Sequence, residues 1–140
     1  MKIKIIFFIY LFFLNLNLRA NTSVPIAVNG VIDFKNYDFE KEKIVKLSGD
    51  WVFFWKKFIK PELSNQLDVI EKGTFLKVPG SWTKAKGLKT EAKGYGTYIL
   101  NMKGLKKGQE LGIVVGRIFS NYDLFLVQQG KVRNLFSSGE

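Results

Sequence analysis

The stretch that decides the fold reads LSGDWVFFWKKFIKP and runs from Leu47 to Pro61. Because residues i and i+2 share one face of a strand, Trp51, Phe53 and Trp55 point to one side and the apolar residues between them to the other. A strand that is apolar on both faces is typical of the centre of a covered sheet. A sugar-binding platform would instead carry aromatic residues on one face and polar residues on the other. The stretch is therefore predicted to lie in the hydrophobic core. Trp55, nearest the lysine pair, is the ring expected to reach solvent.

The first twenty residues have a different pattern. Lys2 and Lys4 precede an apolar run over residues 5–14, and the small residue Ala20 stands at the end of the segment. This is typical of a secretory signal peptide covering residues 1–20. The run is short for a membrane span, which takes roughly 20 residues; an uncleaved N-terminal anchor is the alternative. We therefore expect an exported protein of the periplasm or cell envelope.

The composition excludes several kinds of chemistry. The 140 residues contain no histidine and no cysteine, which removes the usual general base, thiol nucleophiles, disulfides and zinc–thiolate sites. We expect no cofactor and no metal. The net charge is +10, and three of the basic residues lie in the predicted signal peptide, so the exported part carries +7. Such an excess of positive charge suits an anionic partner. The plainer interpretation is a solvated basic surface. Because the protein is expected to be exported, we expect no nucleic acid as partner.

After residue 20, short apolar runs alternate with turn signals. Pro61 limits the one candidate helix, within residues 56–73, to a short segment. About seven or eight short strands at this spacing predict an all-β antiparallel sandwich or barrel. We expect strands after Asn29-Gly30, over the aromatic stretch, before Pro79-Gly80, over YGTYILNMKG (95–104), within QELGIVVGRI (109–118), and on both sides of a Gln129-Gly130 turn.

The acidic residues give little support for catalysis or metal binding. A hydrolase needs only two well-placed carboxylates, and Asp50 and Asp123, which flank strands, are the best candidates. A turn or strand-end role is commoner at such positions, so we expect no enzyme. Asp38, Glu40 and Glu42 alternate as calcium ligands can. Their segment lacks the glycine turn and further ligands, so we expect a solvated loop.

The candidate ligand-binding residues lie at predicted strand ends. Trp82 follows the Pro-Gly pair and precedes a lysine-rich loop, where a rim aromatic either stacks on a ligand or holds the loop. The predicted site combines an aromatic stacker, a second aromatic, a cation and an amide: Trp82, Tyr95, Arg117 and Asn121.

Four motifs occur in order along the chain: VIDFKNYDFEKEKIVKLSGDWVFFW (31–55), VPGSW (78–82), GYGTYIL (94–100) and NYDLFLVQQGKV (121–132). This order resembles the periplasmic galactose-binding-like jelly-roll sensor domain of bacterial seven-transmembrane receptors with diverse intracellular signalling modules. It is also similar to the sugar-binding domain of family 2 glycoside hydrolases. The resemblance implies structural roles for the motif residues Leu47, Gly49, Trp51, Phe53, Val78, Pro79, Gly80, Trp82, Gly94 and Tyr98.

The resemblance also implies an architecture. Residues 21–140 would form a jelly-roll β-sandwich that is cut short, since the receptors continue through a further strand, membrane helices and a cyclase, kinase or phosphatase output domain. The expected function is non-catalytic sensing of a small molecule or carbohydrate, with the membrane surface or a membrane receptor region as partner. The alternatives are a free carbohydrate-binding module and a structural envelope protein that binds anionic surfaces.

Overall fold

The computed structural model describes residues 24–116, 118 and 120–139. The predicted signal peptide, residues 1–20, lies outside the described residues. The described part is built mainly of strands, which confirms the all-β class. None of its helices has the length and apolar character needed to cross a membrane. The strands are β1 (Val31–Asp33), β2 (Gly49–Trp55), β3 (Thr74–Val78), β4 (Gly96–Ile99), β5 (Asn101–Lys103), β6 (Tyr122–Gln128) and β7 (Lys131–Ser138).

The helical segments are one turn long. They are the 3₁₀ turn Pro61–Leu63, the α-helix α1 (Leu67–Ile70) and the 3₁₀ turn Trp82–Lys84. The first two confirm the expectation of short helical structure around Pro61. The third lies in a segment for which the sequence predicted a loop.

The aromatic stretch forms the central strand of a three-stranded antiparallel sheet in the order β3-β2-β4. Phe53 is 1% exposed and packs with Leu76 on one face. Val52 is fully buried and packs with Phe54 and Ile99 on the other. Both faces of β2 are covered, as the unbroken apolar run predicted. Because the central strand is apolar on both faces, segments cover the sheet on both sides, and the arrangement is sandwich-like.

A second, two-stranded sheet pairs β1 with β5 in parallel. The sequence predicted one strand over 95–104, but the chain makes two strands separated by Leu100. The reason is a change of partner, since β4 pairs with β2 whereas β5 pairs with β1. Under this sheet lies an apolar cluster around Ile32, Phe34 and Tyr37, against which Trp51 packs.

Two turns agree closely with the sequence prediction. Asn29 and Gly30 have φ values of 50° and 76°, and Gln129 and Gly130 have φ values of 52° and 74°. Consecutive residues with positive φ give the primed turn whose twist matches that of a hairpin. The second turn joins β6 and β7, which pair antiparallel with an irregularity between Leu124 and Phe125.

The strand expected within residues 109–118 is absent from the described part of that segment, residues 109–116 and 118. Leu111 and Ile113 are exposed there, and Val114 is almost fully so. Gly112 and Gly116 interrupt the apolar run, and glycine weakens a strand interior. Among the described residues the segment pairs with no strand, so its apolar composition alone does not make it a strand.

Candidate functional site

The candidate site lies where β2 ends and β4 begins. Trp55 and Gly96 face each other in the last paired position of the two strands. The pairing extends one step further, because the backbone N–H of Lys56 donates to the carbonyl oxygen of Tyr95 at 2.9 Å. Four aromatic side chains gather here, and we call them the aromatic corner: Trp55, Phe58, Trp82 and Tyr95.

One pair of these rings is open to solvent. Phe58 and Tyr95 stack with their centroids 4.5 Å apart and their planes 10° from parallel. Phe58 is 79% exposed and Tyr95 45% exposed. Neighbouring apolar rings that are exposed to solvent often mark a surface that binds another molecule.

The backbone on both sides of Phe58 is held in place by two hydrogen bonds of the Thr97 side chain. The Thr97 hydroxyl donates to the carbonyl oxygen of Lys57 at 2.8 Å and accepts from the backbone N–H of Ile59 at 3.1 Å. Tyr95 directly precedes β4, and it is expected to point to the same side as Thr97, because alternate residues of an extended chain point the same way. The exposed ring pair is therefore presented by a fixed backbone.

The second pair of rings lies on the opposite face of the sheet. The Trp55 and Trp82 centroids are 5.5 Å apart. The Trp82 indole N–H donates to the carbonyl oxygen of Glu91 at 2.9 Å, and the Thr90 hydroxyl donates to the carbonyl oxygen of Trp82 at 3.0 Å. Of the two roles predicted for Trp82, these bonds describe holding the loop. Stacking on a ligand stays a prediction.

Two glycines make room for the aromatic rings. A Cβ on Gly94 would collide with the indole of Trp55. A Cβ on Gly96 would come within 2.6 Å of Phe53 Cε2. The GYG sequence before β4 is thus explained by close packing of backbone against rings.

One ion pair ties the lysine-rich loop to the end of β2. The Lys56 ammonium lies 3.4 Å from a Glu91 carboxylate oxygen and 5.7 Å from the centroid of the Trp55 ring. Lys56 has a φ of 51°, which turns the chain sharply as it leaves the strand. The pair is exposed, so its contribution to stability is about 0–1 kcal/mol.

The structure brings two of the four predicted site residues to this corner. Trp82 and Tyr95 lie there on opposite faces of the sheet. Asn121 lies just before β6 beside Gly139, at the open end of the hairpin. Among the described residues, no hydrogen bond or ring contact joins Asn121 to the aromatic corner. Arg117 lies outside the described residues.

The site predicted from the sequence did not include Phe58, Lys56 or Glu91. Phe58 fell in the segment predicted to be helical, but residues 57–60 are neither helix nor strand. The available signal was an aromatic residue between lysines, KKFIK, directly after a two-sided apolar strand. The pairing of Lys56 with Glu91, 35 positions away, had no local signal.

The carboxylates singled out from the sequence have structural partners or lie in solvent. Asp50 on β2 lies opposite Lys77 on β3, with their charged atoms 3.4 Å apart. Asp38 accepts a hydrogen bond from the backbone N–H of Glu40 at 3.0 Å, which shapes a turn. Asp123 is exposed on β6. Within the described ranges, no cluster of three or more potential metal-binding side chains occurs.

A second concave surface lies on the hairpin. A groove of about 590 Å³ runs between the segment around Ile113 and one face of β6 and β7. Its lining is mainly apolar, with Arg133 as the charged side chain. Leu135 and Phe136 are substantially exposed there. The groove lacks the convergent polar groups that orient a small ligand, so the aromatic corner is the better candidate.

No protein-family model matches the chain, and searches of curated proteins and of solved structures also find no match.

Proposed function

We propose that this chain is a non-catalytic, extracytoplasmic ligand-sensing domain of the galactose-binding-like jelly-roll type, and that a carbohydrate binds at its aromatic corner. The observation that carries the proposal is the solvent-exposed, stacked Phe58–Tyr95 pair on a fixed backbone. The all-β framework, with a strand covered on both faces, supports the jelly-roll assignment.

The chemistry of the exposed rings suits a sugar. A pyranose ring has an apolar C–H face that packs on an aromatic ring, and its hydroxyls bond to polar groups around that ring. The Tyr95 hydroxyl supplies such a polar group. One open ring face and a few hydrogen bonds, together worth about 4–5.5 kcal/mol, are expected to give dissociation constants of roughly 0.1–1 mM for a short oligosaccharide.

Sensing requires that the ligand favour one arrangement of the domain over another. The loop over residues 83–93 is the element best placed to respond. It is held to the sheet by the half-buried Trp82 and by the exposed ion pair between Lys56 and Glu91. A ligand that engages Lys56 competes with Glu91 and loosens this attachment. The proposed recipient of the change is a membrane receptor region.

Calorimetric titration with neutral oligosaccharides tests the proposal. Tyr95→Ala in the full chain is expected to weaken binding at least tenfold, because it removes one ring and unstacks the other. Phe75→Ala is the matched control. Phe75 is 46% exposed and lies on β3, at the opposite edge of the same sheet. Equal affinities of Tyr95→Ala and the unaltered chain, or no saturable sugar binding at all, would refute the proposal.

The alternative of a structural protein that binds anionic surfaces draws support from the many exposed lysines near the corner. It predicts salt-sensitive binding to anionic vesicles and no saturable sugar. A free carbohydrate-binding module would use the same corner and lack the receptor partner.

A further inference from the structure

We infer that the carbohydrate recognised at the aromatic corner is an acidic glycan, whose carboxylates are bound by exposed lysines of the segments that carry Phe58 and Tyr95. The inference rests on the proposed function and adds the chemical class of the ligand. Three properties of the corner carry it: its charge, the placement of its cations and the state of its rings.

The segments that build the corner carry a strong positive excess. Residues 56–62 and 83–93 together contain seven lysines and two glutamates. Every one of the seven lysines is exposed. They are Lys56, Lys57, Lys60, Lys84, Lys86, Lys89 and Lys93. An excess of one sign of charge at one end of a domain raises the local concentration of ligands of the opposite sign.

Among the described residues, three of the lysines close in sequence to the exposed rings form no ion pair with a protein carboxylate. Lys57 and Lys60 flank Phe58, and Lys93 comes two positions before Tyr95. Within the part of the chain that the structure describes, none of these three forms an ion pair. Of the described carboxylates, Glu91 is the one that forms an ion pair at the corner, and its partner is Lys56. Free ammonium groups beside a stacking surface match a sugar that carries carboxylates.

The position of Lys57 is defined by the same contact that fixes Phe58. The carbonyl oxygen of Lys57 accepts from the Thr97 hydroxyl at 2.8 Å, so the backbone carrying this cation is attached to β4. A cation on a fixed backbone loses less freedom on binding than one on a free loop, and ordering costs reduce affinity. Lys57 is therefore the principal carboxylate-binding residue in this inference.

The state of the rings favours a glycan over a lipid surface. Phe58 and Tyr95 cover one face of each other, and Phe58 is the more exposed of the two, so its outer face is the open ring face of the pair. Stable membrane attachment takes deeper burial of apolar groups in addition to a basic patch. One open ring face matches the C–H face of a single sugar unit. Lysines around that face then reach the carboxylates of the same unit and its neighbours.

A pair of probes that differ in charge alone tests the inference. Oligogalacturonate carries a carboxylate on each sugar, and its methyl ester has the same backbone with the charge removed. We expect the full chain to bind the acid at least about tenfold more tightly than the ester at low salt, as charge-assisted hydrogen bonds predict. Near 1 M salt, where the screening length is about 3 Å, the preference is expected to shrink to below about threefold.

Charge-matched variants locate the effect. The double variant Lys57→Gln/Lys60→Gln is expected to lose most of the preference for the acid and to keep the affinity for the ester. The double variant Lys106→Gln/Lys107→Gln removes the same charge from exposed positions after β5 and is expected to retain the preference. Equal losses in the two double variants would overturn the inference, since they would indicate a general effect of net charge.

The remaining outcomes separate the inference from the proposed function. If acid and ester bind equally and Tyr95→Ala weakens both, the inference is wrong and the carbohydrate function stands. If neither probe binds, and neutral oligosaccharides do not bind either, both are wrong. If phosphatidylglycerol vesicles bind and the glycans do not, the lysines serve a membrane surface and the inference is overturned.

Discussion

A methyl group at position 94 is a severe test of how the aromatic corner is built. The three atoms nearest to a Cβ on Gly94 all belong to the Trp55 indole, and two of them, Cζ2 and Cζ3, would lie at 2.8 and 2.9 Å. Ordinary carbon contacts lie at about 3.5–4.0 Å, so the ring must move by roughly 1 Å. Its path is restricted, because Trp82 packs against it and is itself bonded to the loop.

The magnitude follows from two opposing effects. Overpacking of this kind costs about 1–3 kcal/mol. Replacing glycine by alanine reduces the conformational freedom of the unfolded chain, which returns about 0.4–1 kcal/mol. We therefore expect Gly94→Ala to lower the free energy of unfolding by roughly 1–2 kcal/mol. Because Trp55 and Trp82 both shift, the near-ultraviolet circular dichroism of the folded state should change as well.

The assay is urea denaturation followed by tryptophan fluorescence, with near-ultraviolet spectra recorded before unfolding. Gly112→Ala is the control, since a Cβ there meets no heavy atom within 4 Å. Its unfolding free energy should stay within about 0.5 kcal/mol of that of the unaltered chain. If Gly94→Ala proves as stable as Gly112→Ala and its spectrum is unchanged, the indole does not lie against Gly94, and the reasoning is refuted.

Three further predictions concern the core, the tyrosines and the ion pair. Phe53→Ala should destabilise the chain by about 3–5 kcal/mol in the same urea assay; a loss below 1 kcal/mol would contradict the burial of β2. Burial raises the pKa of Tyr98, and burial together with Glu42 raises the pKa of Tyr37. The contributions of both tyrosines to the free energy of unfolding are present below the unfolded pKa of about 10 and are lost as pH rises through their folded-state pKa values. The urea midpoint should therefore fall above about pH 10, and it should fall less in Tyr98→Phe. Glu91→Gln should cost less than about 1 kcal/mol because its ion pair is exposed; a larger loss in thermal denaturation would show a stronger attachment.

The parts of the fold that depend on local patterns could be predicted from the sequence. The run from Trp51 to Trp55 predicted a strand covered on both faces, because its side-chain alternation needs no knowledge of a partner. The Asn29-Gly30 and Gln129-Gly130 turns were predictable for the same reason, since two residues with positive φ restrict the choice of amino acid. These features need few long-range contacts to be recognised.

The predictions that were wrong concern features that depend on contacts between distant segments. The division of the 95–104 strand at Leu100 follows from parallel pairing of β5 with β1, which lies about 70 positions away in the chain. The apolar run from 109 found no strand to pair with in the described part of the chain. A local pattern shows whether a segment tends to form a strand, whereas its pairing with other segments decides whether the strand forms.

The candidate site shows the same division. Trp82 and Tyr95 were selected because they lie at strand ends, and the structure places both at the aromatic corner. Phe58 was missed because its neighbours resemble the start of a helix, and its position depends on the distant hydroxyl of Thr97. Its partnership with Tyr95 likewise joins segments that are separate in sequence.

The most direct test of the central claim is backbone amide chemical-shift mapping by NMR, with the full chain titrated with a short oligogalacturonate. The account predicts that the largest shifts fall in residues 56–60 and 94–97, saturate with increasing ligand, and are absent from Tyr95→Ala. Saturable shifts that instead follow the hairpin groove around Leu124 and Phe136 would contradict it. Spectra that do not change at any ligand concentration would contradict it as well.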